Sequence, residues 1–245
     1  MSRILWHASG IAEVPDGSAW MDDVEAHRFA RMRYAKRLSE ARLGRWTAKQ
    51  TVTRALDRDA SHASLASVIV RNAADGAPEL FVDEEPETYT IAMTDRADWA
   101  VTALRQGPER IGCDLELVEP RSSRFVSDFF TPAEVRQVEA GHHNLLANLI
   151  WSAKESSLKV LRTGLRRDTR TVEVTLEQGD DSTWTPFTVA VDRGPIRHHG
   201  WWIRYGEFVL TVAAEVPVDP PKSLVEPSPL ASATPGHAWM EDPGR

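Results

Sequence analysis

The chain has 245 residues, of which 42% are hydrophobic and 27% are charged, a balance typical of soluble globular proteins. Its net charge of −7 argues against general nucleic-acid binding, which needs a basic surface, and no segment has the about 20 consecutive apolar residues that cross a bilayer. Cys113 is the single cysteine, so an internal disulfide and a multi-cysteine metal site are excluded. This composition fits the reducing cytoplasm.

The N-terminal half is predicted to contain helices followed by strands. Helical spacing runs from 22 to 56, with a break expected near Gly44. The overlapping segment 28–58 is rich in Lys and Arg, and it is either a binding patch for a small polyanionic ligand or a solvent-exposed helix face. A turn is expected at 75–78. Strands are expected over 67–71, 79–82, 88–94 and 99–104.

The C-terminal half repeats this order after a strand expected over 110–117. Thr131, Pro132 and Glu134 form a capping signature for a helix to about 140, and apolar spacing predicts a longer helix over 144–163. Further strands are expected over 171–176, 187–191, 201–205 and 208–214.

We therefore expect an α+β fold of two similar subdomains, each a small antiparallel sheet packed with helices. The expected boundaries are 1–110 and 111–216, followed by a Pro-rich, disordered tail over 217–245. No sequence repeat is evident that would prove the similarity.

Two carboxylates share one face of the expected strand 110–117. Asp114 and Glu116 alternate with Cys113 and Leu115, which would face the core, and Gly112 would leave room for a ligand on the carboxylate side. Adjacent carboxylates repel one another unless a cation lies between them, and Mg²⁺ suits such oxygen ligands. The alternative is an acidic, solvent-exposed strand face.

The expected helix 144–163 carries a polar stripe opposite its apolar one. Ser152, Glu155 and Lys159 follow one another at three- and four-residue spacing. Alone, this pattern is also that of an ordinary surface Glu–Lys pair.

Together the two motifs resemble the surfactin-synthetase-activating (Sfp) type of 4′-phosphopantetheinyl transferase. That family has Gly-(Ile or Val)-Asp-x-Glu and then Trp-Ser-x-Lys-Glu-Ser-x-x-Lys, matched here by 112–116 and 151–159. The segment 129–134 resembles the family's Phe-Phe-(Ser or Thr)-x-x-Glu element, and 43–49 resembles its Gly-Arg segment. The length and two-part layout resemble its monomeric members.

The resemblance implies transfer of 4′-phosphopantetheine from coenzyme A to a serine of an apo acyl or peptidyl carrier protein, with release of 3′,5′-adenosine bisphosphate. It implies Asp114, Glu116 and Glu155 as ligands of Mg²⁺, and Glu155 and Lys159 as the catalytic base and the cation at the leaving phosphate. Contacts with coenzyme A are implied for Arg45, Arg71, Thr94, Lys154 and Lys159. The subdomain 1–110 would hold the nucleotide end, and 111–216 would carry the metal and catalytic motifs.

Two positions depart from the family pattern. Met93 stands where the family commonly has a histidine that touches the 3′-phosphate, and Ala77 stands where its turn often has a lysine. We therefore also consider a non-catalytic relative that binds coenzyme A or a carrier protein. A third class, an unrelated Mg²⁺-dependent phosphoryl enzyme, lacks the phosphate-binding Gly-x-x-x-x-Gly-Lys loop.

The expected carrier-protein surface lies between the two motifs. It combines cations with aromatic side chains, suited to an acidic partner. Its members are Arg121, Arg124, Phe125, Phe129 and Phe130. Of the adjacent pair, Phe129 and Phe130, we expect one to pack in the core.

Overall fold

A computed structural model describes residues 3–236 of the chain. The N-terminal half contains β1 (Arg3–Gly10), α1 (Asp23–Ala30), α2 (Ala35–Ala55), α3 (His62–Ser67), β2 (Val68–Asn72), β3 (Pro78–Val82), β4 (Glu85–Pro86), β5 (Tyr89–Arg96) and β6 (Trp99–Gln106). The C-terminal half contains β7 (Ile111–Leu117), α4 (Ser123–Phe129), α5 (Pro132–Glu139), α6 (His143–Val160), β8 (Val172–Leu176), β9 (Thr185–Val191), β10 (Arg197–Tyr205), β11 (Phe208–Ala214) and β12 (Asp219–Ser223).

The predicted α+β architecture is confirmed. Over 3–236 the strands form sheets of order β12-β1-β6-β5, β7-β11-β10-β9-β8 and β2-β3-β4. Helix α2 packs on β1 and β6, and α6 packs on β7 and β11. None of the helices in this part of the chain combines the length and apolar content that a membrane span requires.

The two halves repeat the same strand pairing. β1 runs antiparallel to β6, which pairs with β5, as β7 runs antiparallel to β11, which pairs with β10. A short sequence repeat accompanies this likeness, although none was expected from the sequence. The segments 46–56 and 151–161 both begin with Trp, Thr or Ser, Ala, Lys, and Gln or Glu. Both end with Leu, two residues after Arg or Lys.

The expected helix break at Gly44 is wrong. α2 runs through Gly44 without interruption, and the chain breaks earlier, at 31–34. A glycine inside a helix costs only about 1 kcal/mol relative to alanine, and burial of Leu43, Ala48 and Val52 against the sheet offsets that cost.

The expected disordered tail is not found over 217–236. β12 pairs in parallel with β1, and Leu230, in a 3₁₀ turn at 229–232, is buried in a core shared by both halves. The open edge of β1 supplies hydrogen-bonding groups that this segment satisfies, in spite of its prolines. Residues 237–245 lie outside the described part of the chain. The subdomain limits 1–110 and 111–216 stay a prediction.

Candidate active site

Strand β7 presents its carboxylates as the alternation predicts. Cys113 and Leu115 lie in the core, and Asp114 lies on the opposite face, which packs against α6. Gly112 serves a different purpose from the one expected, because a Cβ there would lie 2.0 Å from the carbonyl oxygen of Ser156. The glycine therefore allows the helix, rather than a ligand, to approach the strand.

Serine hydroxyls fix α6 on the sheet. Ser152 Oγ and Ser156 Oγ lie 2.8 and 2.6 Å from Thr211 Oγ1, and Ser152 Oγ also donates to the carbonyl of Asp114 at 3.2 Å. Part of the expected polar stripe is therefore an internal attachment. Glu155 and Lys159, on the same helix, are only partly buried.

Asp114 is the centre of the polar contacts between these elements. Its Oδ1 accepts hydrogen bonds from Lys159 Nζ at 2.9 Å and from Thr94 Oγ1 at 3.2 Å. Lys159 Nζ also donates to the carbonyl of Cys113 at 2.8 Å, and Thr94 Oγ1 accepts from the backbone N–H of Leu115 at 3.2 Å. The structure thus brings together three of the predicted site residues, one from each of β5, β7 and α6.

Glu116 lies among arginines. Its Oε2 is 3.2 Å from Arg121 Nη2 and 3.4 Å from Arg96 Nε, and both arginines also contact Glu119. Burial, followed by the charge of Asp114, raises the pKa of Glu116 to about 7 against the opposing effect of the arginines.

Glu155 completes the carboxylate group. Burial first, and then the negative charge of Asp114, raise the pKa of Glu155 to about 7, while Lys159 opposes the shift. Because Asp114 shifts both glutamates, the three carboxylates share one electrostatic environment although they come from two elements. A carboxyl group with a pKa near 7 can accept a proton at neutral pH.

The carboxylates fit a divalent cation by their unsatisfied oxygens. No group of three or more His, Cys, Asp or Glu within 3–236 is arranged so that it could hold a metal ion by itself. Yet Asp114 Oδ2 and Glu155 Oε1 are buried without a hydrogen-bond partner. Mg²⁺ commonly takes one or two carboxylates and completes its shell with water and substrate phosphates, so this donor set suits it.

A cleft of about 1030 Å³ opens beside this centre, between the two halves. The N-terminal part of α2, the β2–β3 turn and strand β5 line one side, and the start of β7 and the end of α6 line the other. Lys159 and Met93 both contribute to its wall. The volume is at the upper end of the range found for small-molecule sites.

Arg45 lines the cleft but is already engaged. It is 9% exposed, its Nε lies 3.4 Å from Glu25, and its Nη2 donates to Asn72 Oδ1 at 3.2 Å. Its Nη1 lies 3.8 Å from the sulfur of Met93. A phosphate at this position would have to share the guanidinium with Glu25.

Two other residues expected to contact coenzyme A lie elsewhere. Arg71 is outside the cleft lining and stacks on Phe81, with its Cζ 4.7 Å from the ring centroid. Lys154 is fully buried and binds Glu134 at 2.8 Å, with two backbone carbonyls as further acceptors. The structure does not support the expected contact of Lys154 with coenzyme A, because all three ammonium hydrogens have acceptors inside the protein.

Three arginines outside the predicted set of coenzyme A contacts line the cleft. Arg28, Arg37 and Arg110 have no ion-pair or side-chain hydrogen-bond partner among residues 3–236. The signals were present in the sequence, since Arg28 and Arg37 belong to the basic segment 28–58 and Arg110 directly precedes the carboxylate strand.

The aromatic residues between the motifs divide as expected. Phe130 is buried at 2% exposure, and Phe129 is 37% exposed. Phe125, Phe129 and Trp151 form a cluster with ring centroids 5.0–5.2 Å apart, and Arg121 stacks on Phe125.

Comparison with known families agrees with this geometry. A search among curated proteins finds no significant match. Residues 110–213, under half of the chain, match the ACPS model, described as the 4′-phosphopantetheinyl transferase superfamily. This match supports a transferase that acts on phosphopantetheine, since the segment with Asp114, Glu155 and Lys159 is similar to the 4′-phosphopantetheinyl transferase superfamily.

Proposed function

We propose that the chain transfers 4′-phosphopantetheine from coenzyme A to a serine of an apo acyl or peptidyl carrier protein. The observation that carries this proposal is the pair of unsatisfied oxygens, Asp114 Oδ2 and Glu155 Oε1, next to Lys159 at a cleft of nucleotide size. The superfamily match over 110–213 supports the same chemistry.

In the proposed reaction, the serine hydroxyl attacks the β-phosphate of coenzyme A. A bond forms between the serine oxygen and phosphorus, the bond to the bridging pyrophosphate oxygen breaks, and 3′,5′-adenosine bisphosphate leaves. Glu155 takes the serine proton directly or through a water molecule, since it is the carboxylate on the same helix as Lys159 and next to Asp114. Lys159 faces the cleft and would neutralise charge on the leaving phosphate.

Asp114 and Glu155, which have the buried unsatisfied oxygens, are the residues that would hold Mg²⁺, with Glu116 as the expected third carboxylate beside them, and the ion would supply charge neutralisation at the pyrophosphate. Thr94 and Lys159 hold one oxygen of Asp114, which leaves Oδ2 as the oxygen available to a cation. Oε2 of Glu116 is instead paired with Arg121 and Arg96, at 3.2 and 3.4 Å.

The phosphates of the nucleotide end would bind the unpaired arginines of the cleft. Arg28, Arg37 and Arg110 offer guanidinium groups without a competing carboxylate in the described part of the chain. Arg45 would contribute after exchange with Glu25, and Arg71 would act through its stacking on Phe81, a cleft residue. Arginine is well suited to phosphate because its planar donors bind two oxygens together.

The carrier protein would dock at α4, next to the carboxylates. Exposed Phe129 supplies an apolar contact, and Arg124 supplies a cation at the same surface, with its side chain 90% exposed. Arg121 links this surface to Glu116, since it stacks on Phe125 and binds the carboxylate.

A non-catalytic binding relative is the second candidate. It is favoured by Met93, whose sulfur faces Arg45 in the cleft and can donate no hydrogen bond to a phosphate.

One experiment separates the two candidates. The full chain is incubated with coenzyme A, Mg²⁺ and apo carrier proteins of the fatty-acid, polyketide and nonribosomal-peptide kinds, and the carriers are weighed by mass spectrometry. A gain of one phosphopantetheinyl group on any carrier supports the transferase. Binding of coenzyme A without a gain on any carrier supports the binding relative and overturns the transferase.

A further inference from the structure

An ion pair crosses the cleft at the end of α6. Asp75, in the β2–β3 turn of the N-terminal half, pairs with Arg162 in the C-terminal half: Oδ1 accepts a hydrogen bond from Nη2 at 3.1 Å, and Oδ2 lies at the ion-pair distance of 2.8 Å from Nε. Arg166 Nη2 donates to the backbone carbonyl of Asp75 at 3.1 Å. All three residues line the cleft. The contact therefore joins the two walls of the cavity.

The turn holds the Asp75 carboxylate in place. Asp75 Oδ1 accepts from the backbone N–H of Ala77 at 3.0 Å, and the backbone N–H of Ala73 donates to the carbonyl of Ala77 at 2.8 Å. Gly76 adopts a φ of 91°, which few other residues tolerate. The carboxylate is thus presented from a locally fixed loop rather than from a free chain end.

Arg162 occupies a backbone position that favours glycine. It follows α6 with a φ of 59°, and its N–H donates to the carbonyl of Lys159 at 3.0 Å. Helices often end with a glycine in this left-handed conformation, and a bulky residue there is uncommon. Such outliers persist where the surroundings impose them and often mark functional positions. Here the side chain binds Asp75, while the backbone holds the turn of helix that carries Lys159.

We propose that Asp75 and Arg162 are positioning residues that latch the β2–β3 turn onto the end of α6 and so close the cleft around the bound donor. The inference rests on the proposed function in taking coenzyme A as that donor. The latch touches no reacting atom. Its effect is to hold the β2–β3 turn at a fixed position relative to Lys159, and so to slow the dissociation of coenzyme A.

Binding and turnover of two single variants test the latch. Asp75→Asn keeps an oxygen for the N–H of Ala77 but removes the charge, and Arg162→Gly removes the side chain while relieving the left-handed backbone, so neither should impair folding. We expect each to raise the Kd and KM for coenzyme A about fivefold, the effect of one well-formed exposed ion pair, with kcat unchanged. The double variant should bind coenzyme A as tightly as either single variant, because both substitutions remove the same contact.

Asp59→Asn is the matched control. Asp59 also accepts a backbone N–H two residues ahead, from Ser61 at 2.8 Å, but it lies outside the cleft. We expect this variant to bind coenzyme A as the unaltered chain does.

Three results would overturn the latch. The first is an unchanged Kd for coenzyme A in Asp75→Asn. The second is a lower Kd in that variant, which would mean that Asp75 competes with the donor phosphates for Arg162 and Arg166. The third is a double variant in which the two increases in Kd add. Because Kd is measured by calorimetry without a carrier protein, a chain that binds coenzyme A but modifies no carrier would overturn the transferase and still test the latch. A chain that does not bind coenzyme A would overturn both.

Discussion

Lys49 of α2 and Lys154 of α6 make the same set of contacts in the two halves. Lys49 Nζ lies 2.8 Å from Glu25 and donates to the carbonyls of Leu65 and Val68. Lys154 Nζ lies 2.8 Å from Glu134 and donates to the carbonyls of Thr169 and Val172. In each half, a buried lysine therefore joins the long helix to a preceding helix and to the start of the next hairpin.

This equivalence predicts that Lys154 stabilises the fold and does not bind the donor. Lys154→Met should lower the free energy of unfolding by about 3–5 kcal/mol, because it leaves the Glu134 charge buried without its partner. Urea unfolding provides the measurement. Lys159→Met is the matched control, since Lys159 is partly exposed and its loss should reduce turnover far more than stability. A stable Lys154→Met chain with weakened coenzyme A binding would contradict this assignment.

Glu155→Gln should leave the fold intact and reduce the rate of phosphopantetheine transfer at least about 100-fold, the usual contribution of a general base. The amide preserves the shape of the side chain but can neither accept the serine proton nor bind a cation as a carboxylate does. Thermal unfolding and transfer assays on the same preparation give the comparison. Gln50→Glu, at the equivalent position of α2, is expected to transfer at the normal rate. Near-normal turnover in Glu155→Gln would remove Glu155 from the chemistry.

Two glycine substitutions should shift stability in opposite directions. In Gly112→Ala the new Cβ would lie 2.0 Å from a backbone oxygen of α6, which forces the helix away from β7. In Gly44→Ala the nearest atom is the flexible end of Met93 at 3.5 Å, and a helical glycine is replaced by a better helix former. We expect Gly112→Ala to be strongly destabilised and Gly44→Ala to gain up to about 1 kcal/mol. Denaturant unfolding of both variants checks the prediction, and equal shifts would contradict it.

The sequence predicted most strands within a few residues because alternation and turn residues are local signals. It also predicted the meeting of Asp114 with Lys159, through the resemblance of two motifs. The contacts that were missed depend on distant parts of the chain. Nothing local shows that Lys154 faces Glu134 or that 219–223 completes a sheet begun by β1.

His198 should make stability depend on pH in the acid range. Burial lowers the pKa of His198 from 6.5 to about 4, and its Nδ1 shares a hydrogen bond of 2.7 Å with Ser157. Because the unfolded chain binds this proton first, the stabilisation is complete above about pH 6.5 and is lost as the pH falls toward 4. For one such group the full loss is about 3 kcal/mol.

The corresponding measurement is the free energy of unfolding in urea at a series of pH values. His198→Gln should be less stable at neutral pH but should lose less stability between pH 6.5 and 4 than the unaltered chain. His199→Gln serves as the control, since this neighbouring side chain is only partly buried, whereas His198 is buried. An identical pH slope in His198→Gln and the unaltered chain would assign the effect to another group, such as His7, whose pKa burial also lowers to about 4.

The segment after 217 should contribute to stability through Leu230. This side chain is 1% exposed and packs in the core that joins β1 of the N-terminal half to β7 and β11 of the C-terminal half. Backbone carbonyls on either side of it accept hydrogen bonds from Trp201 and Trp99, which belong to different halves. Leu230→Ala should therefore lower the free energy of unfolding by about 2–5 kcal/mol, the cost of a cavity in a packed core. Leu165→Ala, at a position 62% exposed, should change it by less than about 0.5 kcal/mol. If both variants unfold at the same urea concentration, 217–236 contributes nothing to the core, and the original expectation of a disordered tail regains its support.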